Sequence, residues 1–304
     1  MALTKYPSGI SSFGVPVLSG GVGIPATTGK YVFVSSGTGS NGNSGLDSLH
    51  PVATIDYAVG LCSANKGDII LVMPGHNETI VAATSLVVDV EGIQIIGLGI
   101  GHSRPVLDFD NTAGSIEMDA ANCRLSNIVL RASESAVVVG INVDADGITL
   151  DNLETTWEDT GDDFLTMIDI DAVDRTTVEN CKLYTQPATA GAAEAIRVDD
   201  AHNTRILNNE IIGQFSDSPF AGEGAASTEC LIANNVMYNS DTSDNNGLEI
   251  AVAFTGLMIG NRIGTLYATG FDALIDPGSM LCIENYVANA IDETGIILPA
   301  TTPD

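Results

Sequence analysis

The sequence predicts an all-β fold, a right-handed single-stranded parallel β-helix, and three observations predict it. The first is a repeat. An aliphatic residue two places before an asparagine recurs in Leu125-Ser126-Asn127, Leu150-Asp151-Asn152, Val178-Glu179-Asn180, Ile206-Leu207-Asn208, Ile232-Ala233-Asn234, Ile259-Gly260-Asn261 and Ile283-Glu284-Asn285, with successive asparagines 24 to 28 residues apart. Ile95-Ile96-Gly97 is an earlier, degenerate copy. Self-similarity at this period marks a stacked repeat. The second observation is alternation: Ile116 and Met118, Ile141 and Val143, Ile168 and Ile170, Ile196 and Val198 place apolar side chains at period two, on one face of a strand. The third is an absence. No copy carries the i, i+3, i+4, i+7 pattern that paired helices would need. Stacked copies then pair each strand with its equivalent one coil away and enclose the apolar columns.

The asparagines have a structural reading, because Asn tolerates the left-handed backbone of a tight corner. Stacked amides can also hydrogen-bond up and down a ladder. Gly97 meets the same backbone demand without a side chain.

Residues 1–30 are expected to be an extended arm, since Gly, Pro and Ser interrupt every apolar run. Residues 31–80 are expected to form a strand-and-helix cap: a strand at Tyr31–Val34, a turn-rich loop from Gly37 to Gly45, an amphipathic helix from Pro51 to Cys62, and a buried strand within Gly67–Gly75. Residues 81–298 are the β-helix and 299–304 a short tail. The Tyr-Val-x-Val strand, the Gly/Asn/Ser loop, Ala53-Thr-Ile-Asp-Tyr-Ala-Val59 and Gly67-Asp-Ile-Ile-Leu-Val-Met-Pro-Gly75 together resemble the opening of pectate-lyase-like β-helix proteins. The resemblance implies that the helix caps the first coil, whose strand edge would otherwise be open to other chains.

A narrower resemblance lies in Met1-Ala-Leu-Thr-Lys-Tyr-Pro-Ser-Gly-Ile-Ser-Ser-Phe-Gly14, which is similar to the start of structural proteins of tailed bacteriophages. It implies a virion component on the head or tail surface; with no catalytic series and few aromatics, the expectation is a non-enzymatic protein that decorates the capsid exterior, on the virion surface, after assembly in the host cytoplasm. The partner implied is the major capsid protein or another virion protein, with a homotrimer as the expected assembly. The arm residues Lys5, Tyr6, Pro7, Ile10, Phe13 and Val15 are the expected docking element. The alternative is a tail spike or fibre that binds, or binds and cleaves, host surface polysaccharide.

Charge narrows the classes. The chain carries a net charge of −28, which argues against binding nucleic acid or an anionic membrane. The charge is uneven: before Asp47 the only charged side chains are Lys5 and Lys30, so residues 1–46 carry +2 and the remainder −30. Five widely spaced cysteines show no CxxC pair and no zinc pattern, so buried free thiols are expected. The first residues lack the pattern of a signal segment, and no run approaches the length of a membrane span.

The segments between coils, Thr155–Thr166, Tyr184–Ala195, Gly213–Gly224 and Tyr238–Gly247, are expected to leave the stack at one corner and line one edge. Trp157, Asp162, Asp163, Phe215 and Phe220 are its candidate glycan contacts. Trp157 is open to two readings, a sugar platform or a loop anchor. A column of acids, Asp119, Asp144, Asp171 and Asp199 with Asp276 at the same offset, lapses at Ala225 and Val252. It is open to two readings as well: strand-end turn residues, or a calcium site, since hard cations want several oxygens.

Chemistry finds less support. β-Helix lyases use calcium-binding acids with a nearby Arg or Lys base, and β-helix glycosidases use close carboxylates. Asp162-Asp163 and Asp199-Asp200 are not followed by Gly-His-Gly, and Arg262-Ile263-Gly264 stands where the glycosidase pattern has Arg-Ile-Lys. His76 and His102 lie near the capped end, and His50 and His202 are isolated. Arg197 is the best candidate for a lyase base. No catalytic residue, cofactor or metal site is expected.

Overall fold

A computed structural model of the chain describes residues 11–12, 15–16, 25–186, 191–224, 227–242, 246–251, 253–266, 275–288 and 294–297. The docking residues Lys5, Tyr6, Pro7, Ile10 and Phe13 lie outside them. Val15 falls in a two-residue strand, Val15–Pro16, paired antiparallel with Ser11–Ser12.

The fold is a parallel β-helix. Three sheets run its length, of ten, ten and eight strands. The first sheet starts at Tyr31–Val34, ends at Ser279–Ile283, and holds the strands that carry the repeat, such as Thr149–Asp151 and Arg205–Leu207. The second runs from Asn77–Ile80 to Asn285–Ala288, where Thr294–Ile297 closes it in antiparallel pairing. The third runs from Leu86–Val87 to Ile275–Asp276 and includes the long strands Phe164–Asp171 and Ala192–Asp199. Eight coils of three strands result, and every pairing between coils is parallel.

Alternation sorts the side chains. Leu125, Leu150, Val178, Ile206, Ile232, Met258 and Cys282 stack inward from the first sheet, and Ile116, Ile141, Ile168, Ile196 and Phe220 from the third. All are buried in one continuous apolar core. Phe109 meets Phe164 edge-on at 5.0 Å, and Phe220 meets Phe254 at 6.4 Å. Cys123, Cys181, Cys230 and Cys282 are buried free thiols, and burial pushes Cys181 up to about 12.

The corner between the first two sheets explains the repeat and corrects its register. Asn127, Asn152, Asn180, Asn208 and Asn234 adopt the left-handed conformation, with φ between 52° and 59°. The next two coils place Gly260 and Glu284 there, with φ of 69° and 53°, not Asn261 and Asn285. Those two belong one residue later, in register with Asn209 and Asn235. The triplet Ile259-Gly260-Asn261 therefore has its aliphatic residue pointing outward, while Met258 fills the core. Gly97 is also explained differently. A Cβ there would sit 2.2 Å from the Asn127 carbonyl oxygen, so close backbone approach, not a left-handed φ, requires glycine.

Asn209, Asn235, Asn261 and Asn285 form a buried ladder. Each Nδ2 donates to a main-chain carbonyl of the preceding coil, those of Val178, Ile206, Ile232 and Met258, at 2.8 to 3.0 Å. Each Oδ1 accepts from the amide N–H of the residue one coil back, at 2.9 to 3.0 Å. The ladder satisfies backbone groups that a sharp corner would otherwise strand.

The helix spans Ile55–Leu61, shorter than the Pro51–Cys62 expected from its pattern. Val52 bridges to Val34 and extends the sheet instead. Thr54 caps the helix by accepting from the Tyr57 amide at 3.3 Å. Ile55, Ala58 and Val59 turn into the core against Tyr31–Val34 and Ile69–Val72. His76 is sealed beside it. The ring accepts from the Ser36 amide at 2.9 Å and contacts Glu78 at 2.9 Å, so this histidine fastens the first coil.

Candidate functional site

Period-two alternation that buries Ile141 and Val143 turns Asn142 and Asp144 outward. Carried through the third sheet, it builds two polar columns on the outer face. One holds Glu117, Asn142, Asp169, Arg197, Ala221, Glu249 and Asp276. The other continues Asp171 and Asp199 to Glu223. The expected acid column therefore persists at Glu223 where a lapse was expected at Ala225, and Asp276 belongs to its neighbour.

Two carboxylate trios stand on this face: Glu117 with Asp119 and Asp144, and Glu194 with Asp217 and Glu223, each with oxygens within 4.8 Å of one another. In the first, Ser115 donates to Glu117, and Asn142 Nδ2 donates to Glu117 at 3.0 Å and to Asp144 at 2.7 Å. Burial and the neighbouring acids Glu117 and Asp119 raise the Asp144 carboxyl. An open groove of about 380 Å³ runs beside it, lined in part by Thr112, Val138 and Asp169. In the second trio Glu194 is buried and accepts from Thr166 at 2.9 Å. Burial, then the charges of Glu249 and Glu194, push Asp217 up to about 6. Both trios offer only hard oxygen donors, the donor set that suits calcium, and a bound divalent cation would relieve the repulsion that lifts these carboxyls.

Arg197 is held out of that chemistry. Its guanidinium makes a two-point contact with Asp169 one coil back, Nε to Oδ1 at 2.8 Å and Nη2 to Oδ2 at 2.5 Å. That pairing raises its already high pKa and favours the protonated form. The aromatic residues of the third sheet, Phe164, Phe215 and Phe220, all point into the core.

The expected glycan edge is not assembled. Gly213–Gly224 is not a projecting loop; it contains the strand Phe215–Glu223, which buries Phe215 and Phe220 completely. Asp163 is also buried. It accepts from the Thr185 hydroxyl and from the Phe164 amide at 3.0 Å, and burial lifts it to about 6. Asp162, half-buried, accepts from the Asp159 amide at 3.0 Å and closes a turn. Trp157 ends the strand Glu154–Trp157, paired with Ala132, and is half-buried. Of the five, Asp163, Phe215 and Phe220 are buried, and Trp157 and Asp162 are half-buried.

No family model matches the chain, and no curated protein does. Solved structures do. A pectate lyase, Pel9A, superposes with a TM-score of 0.55 at 14% identity, over 87% of this chain and 77% of that one. By fold, the chain is a pectate-lyase-like parallel β-helix. A rhamnogalacturonan lyase follows at 0.48, with 13% identity over 89% of this chain and 90% of that one. The ORF18 protein of Geobacillus virus E2 matches at 0.33, with 11% identity over 77% and 57%. At these identities the likeness is one of fold alone, and only the first score is high enough to argue from.

Sequence reasoning missed Glu117, Glu194, Asp217 and Glu249. The signal was present, since Glu117 and Glu249 each stand between two apolar inward residues, the mark of an outward position. Distance from the asparagine misaligns the acids, because that distance changes when a coil gains or loses a residue.

Proposed function

We propose that this chain is a non-enzymatic structural protein of a phage particle that decorates the capsid exterior through its N-terminal arm. The observation that carries the non-enzymatic reading is the pairing of Arg197 with Asp169. That pairing engages the cation best placed, among the described residues, to serve as a base beside the carboxylates of the third sheet, and the aromatic residues on the described strands of that sheet all point inward, which offers a sugar ring no platform there. The virion reading rests on the opening residues and on charge. An arm without acids precedes a body at −30, which supplies solubility and repels neighbouring bodies while the arm attaches. Lys5, Tyr6, Ile10 and Phe13 suit pockets on another protein, ordering as they bind.

The test is to delete residues 1–29 and ask where the protein sits on purified particles. The truncated protein should keep its β-sheet circular dichroism and cooperative melting but leave the head lattice. Wild-type occupancy by the truncated form would remove the docking role. Location at the tail tip, with binding to host polysaccharide, would establish the tail-spike alternative instead.

A further inference from the structure

The outer face of the first sheet changes character along its length. Its middle coils are polar: Arg124, Thr149, Thr177 and Arg205 form one outward column, and Ser126, Asp151 and Glu179 stand in the other, which turns aliphatic at Leu207. Over the next three coils the same columns become Leu231, Leu257 and Leu281, and Ala233, Ile259 and Ile283. Leu281 is 64% exposed and Ile283 46%. The surface continues around the asparagine corner onto the second sheet, where Val236, Tyr238 and Tyr286 border an open groove of about 430 Å³. Tyr286 is 54% exposed.

The sheet shows elsewhere what such positions require. In its first coils the outward residues Ile69, Leu71 and Ile96 are also aliphatic, and they are 0 to 2% exposed, packed with Tyr31, Phe33 and Leu98 in a second apolar cluster. Aliphatic columns on this face are thus buried at one end of the molecule, half-buried at Leu231, Leu257 and Ile259, and open at Leu281 and Ile283 at the other. Isolated surface leucines need no explanation, but two registered columns over three coils form a contiguous patch.

We propose that this face is the contact through which a second copy of the chain packs. Charge selects that partner. The chain has 39 acidic residues, yet the outward positions of the strands Cys230–Ala233, Thr255–Ile259 and Ser279–Ile283 hold no charge. On the adjoining strands of the second sheet, Arg262 alone is charged, and the acids Glu284 and Glu229 stand at the corners that bound the face. A basic partner would be met by some of those acids. An acid-free face is instead what two bodies of the same strong negative charge need to approach each other. Its geometry fits: flat sheet faces with side chains in register pack about 10 Å apart, interdigitated.

Three coils at ~4.8 Å each, across two strands at ~3.3 Å per residue, give a face of roughly 400 Å². That is about half of one side of a standard interface, so association should depend on concentration. It should also strengthen with salt, because salt screens the repulsion of the bodies and does not weaken apolar contact. The contact holds wherever the protein is mounted, so its failure would leave the virion reading untouched.

The experiment is the mass of the full-length chain in solution, by sedimentation equilibrium, from low micromolar to near-millimolar concentration in low and high salt. The expected result is a mass that climbs to a multiple of 31.5 kDa, sooner in high salt. Leu257→Glu with Leu281→Glu should weaken association at least ~10-fold, since it buries like charges in the contact, with unchanged circular dichroism. Thr149→Glu with Thr177→Glu, on the polar coils, should not. A monomer at every concentration, association that weakens with salt, or a leucine double variant that associates like wild type would each overturn the proposal. Should that variant fail to fold, hydrogen exchange of the wild type decides. Residues 255–259 and 279–283 should become more protected as concentration rises, and no change there would equally overturn it.

Discussion

Asn235→Ala separates the two adjacent asparagine columns. Asn235 is fully buried. Its Oδ1 accepts from the Asn209 amide at 2.9 Å, and its Nδ2 donates to the Ile206 carbonyl at 2.8 Å. Truncation leaves that N–H without a partner inside a dry corner, while the Ile206 carbonyl keeps the Ala233 amide through the sheet register. Asn209 Nδ2 keeps its bond to Val178, and Asn261 Oδ1 keeps the Asn235 amide, so those two survive. One stranded amide at ~1–3 kcal/mol, with the two lost side-chain bonds to Asn209 and Asn261 at ~0.5–1.5 kcal/mol each, gives a loss of about 2–6 kcal/mol. Asn234 is its neighbour but is exposed, with φ of 57°. Asn234→Ala should cost only ~1–2 kcal/mol, the strain of alanine in the left-handed region. Urea unfolding of both variants measures the difference. Hydrogen exchange adds a local readout, because the Asn209 amide should exchange much faster in Asn235→Ala and unchanged in Asn234→Ala. Equal losses, or an Asn235→Ala protein within ~1 kcal/mol of wild type, would falsify the assignment of the ladder to the buried column.

Three further outcomes are expected. Ile206→Ala, emptying an inward position, should destabilise by about 2–5 kcal/mol in the same assay; a loss below that range would mean the core is not closed there. Stability should rise as pH falls from 7 to about 5, read as melting temperature. Asp163 and Asp217 have folded pKa values raised to about 6, so the native state takes up protons before the unfolded chain does, and the gain ends near the unfolded value of 3.8. Below that, stability should fall, because the hydrogen bonds from Arg131 and Ser133 at Asp108, and from Asn180, Arg124 and Ser126 at Asp151, outweigh burial and hold the carboxyls low. A melting temperature that declines steadily from pH 7 would contradict this. Incubation with acidic or neutral polysaccharides, with or without calcium, should release no unsaturated or reducing-end products; release abolished by Arg197→Ala, or by Asp217→Asn with Glu223→Gln, would make the acidic face an active site.

The fold was legible because the core of a stacked repeat is written many times over. One inward residue at a single coil is ambiguous, but Leu125, Leu150, Val178, Ile206 and Ile232 at matched offsets are not. The corner was legible for the same reason, until Gly260 and Glu284 took the left-handed position and left Asn261 and Asn285 standing one place along. Those two residues satisfy the same aliphatic–x–Asn pattern from the wrong face of the strand, since Ile259 and Ile283 point outward. Period-two alternation alone could have exposed the slip: Met258 and Cys282 are the apolar residues in phase with Ile232. Phe215 and Phe220 failed for a related reason. Gly213, Ser216, Ser218 and Pro219 look like turn chemistry, yet parallel pairing with Ala192–Asp199 one coil away draws the segment into the sheet.

What remains hard to read is the outside, and the physics of the solenoid explains why. Inward positions face the same demand in every coil, because each coil stacks on two others of the same kind. Outward positions face solvent or a partner, so nothing forces one coil to match the next. The first sheet shows this freedom within a single column, which passes from Tyr31 and Ile69 through Arg124 and Thr149 to Leu257 and Leu281. The third sheet uses it to collect carboxylates. Specificity in such a molecule is therefore set by which stretch of an outer column departs from the solvated norm. Once register is known, those departures can be found directly: an acid-free aliphatic zone over the last coils of the first sheet, and an acid-rich one along the third.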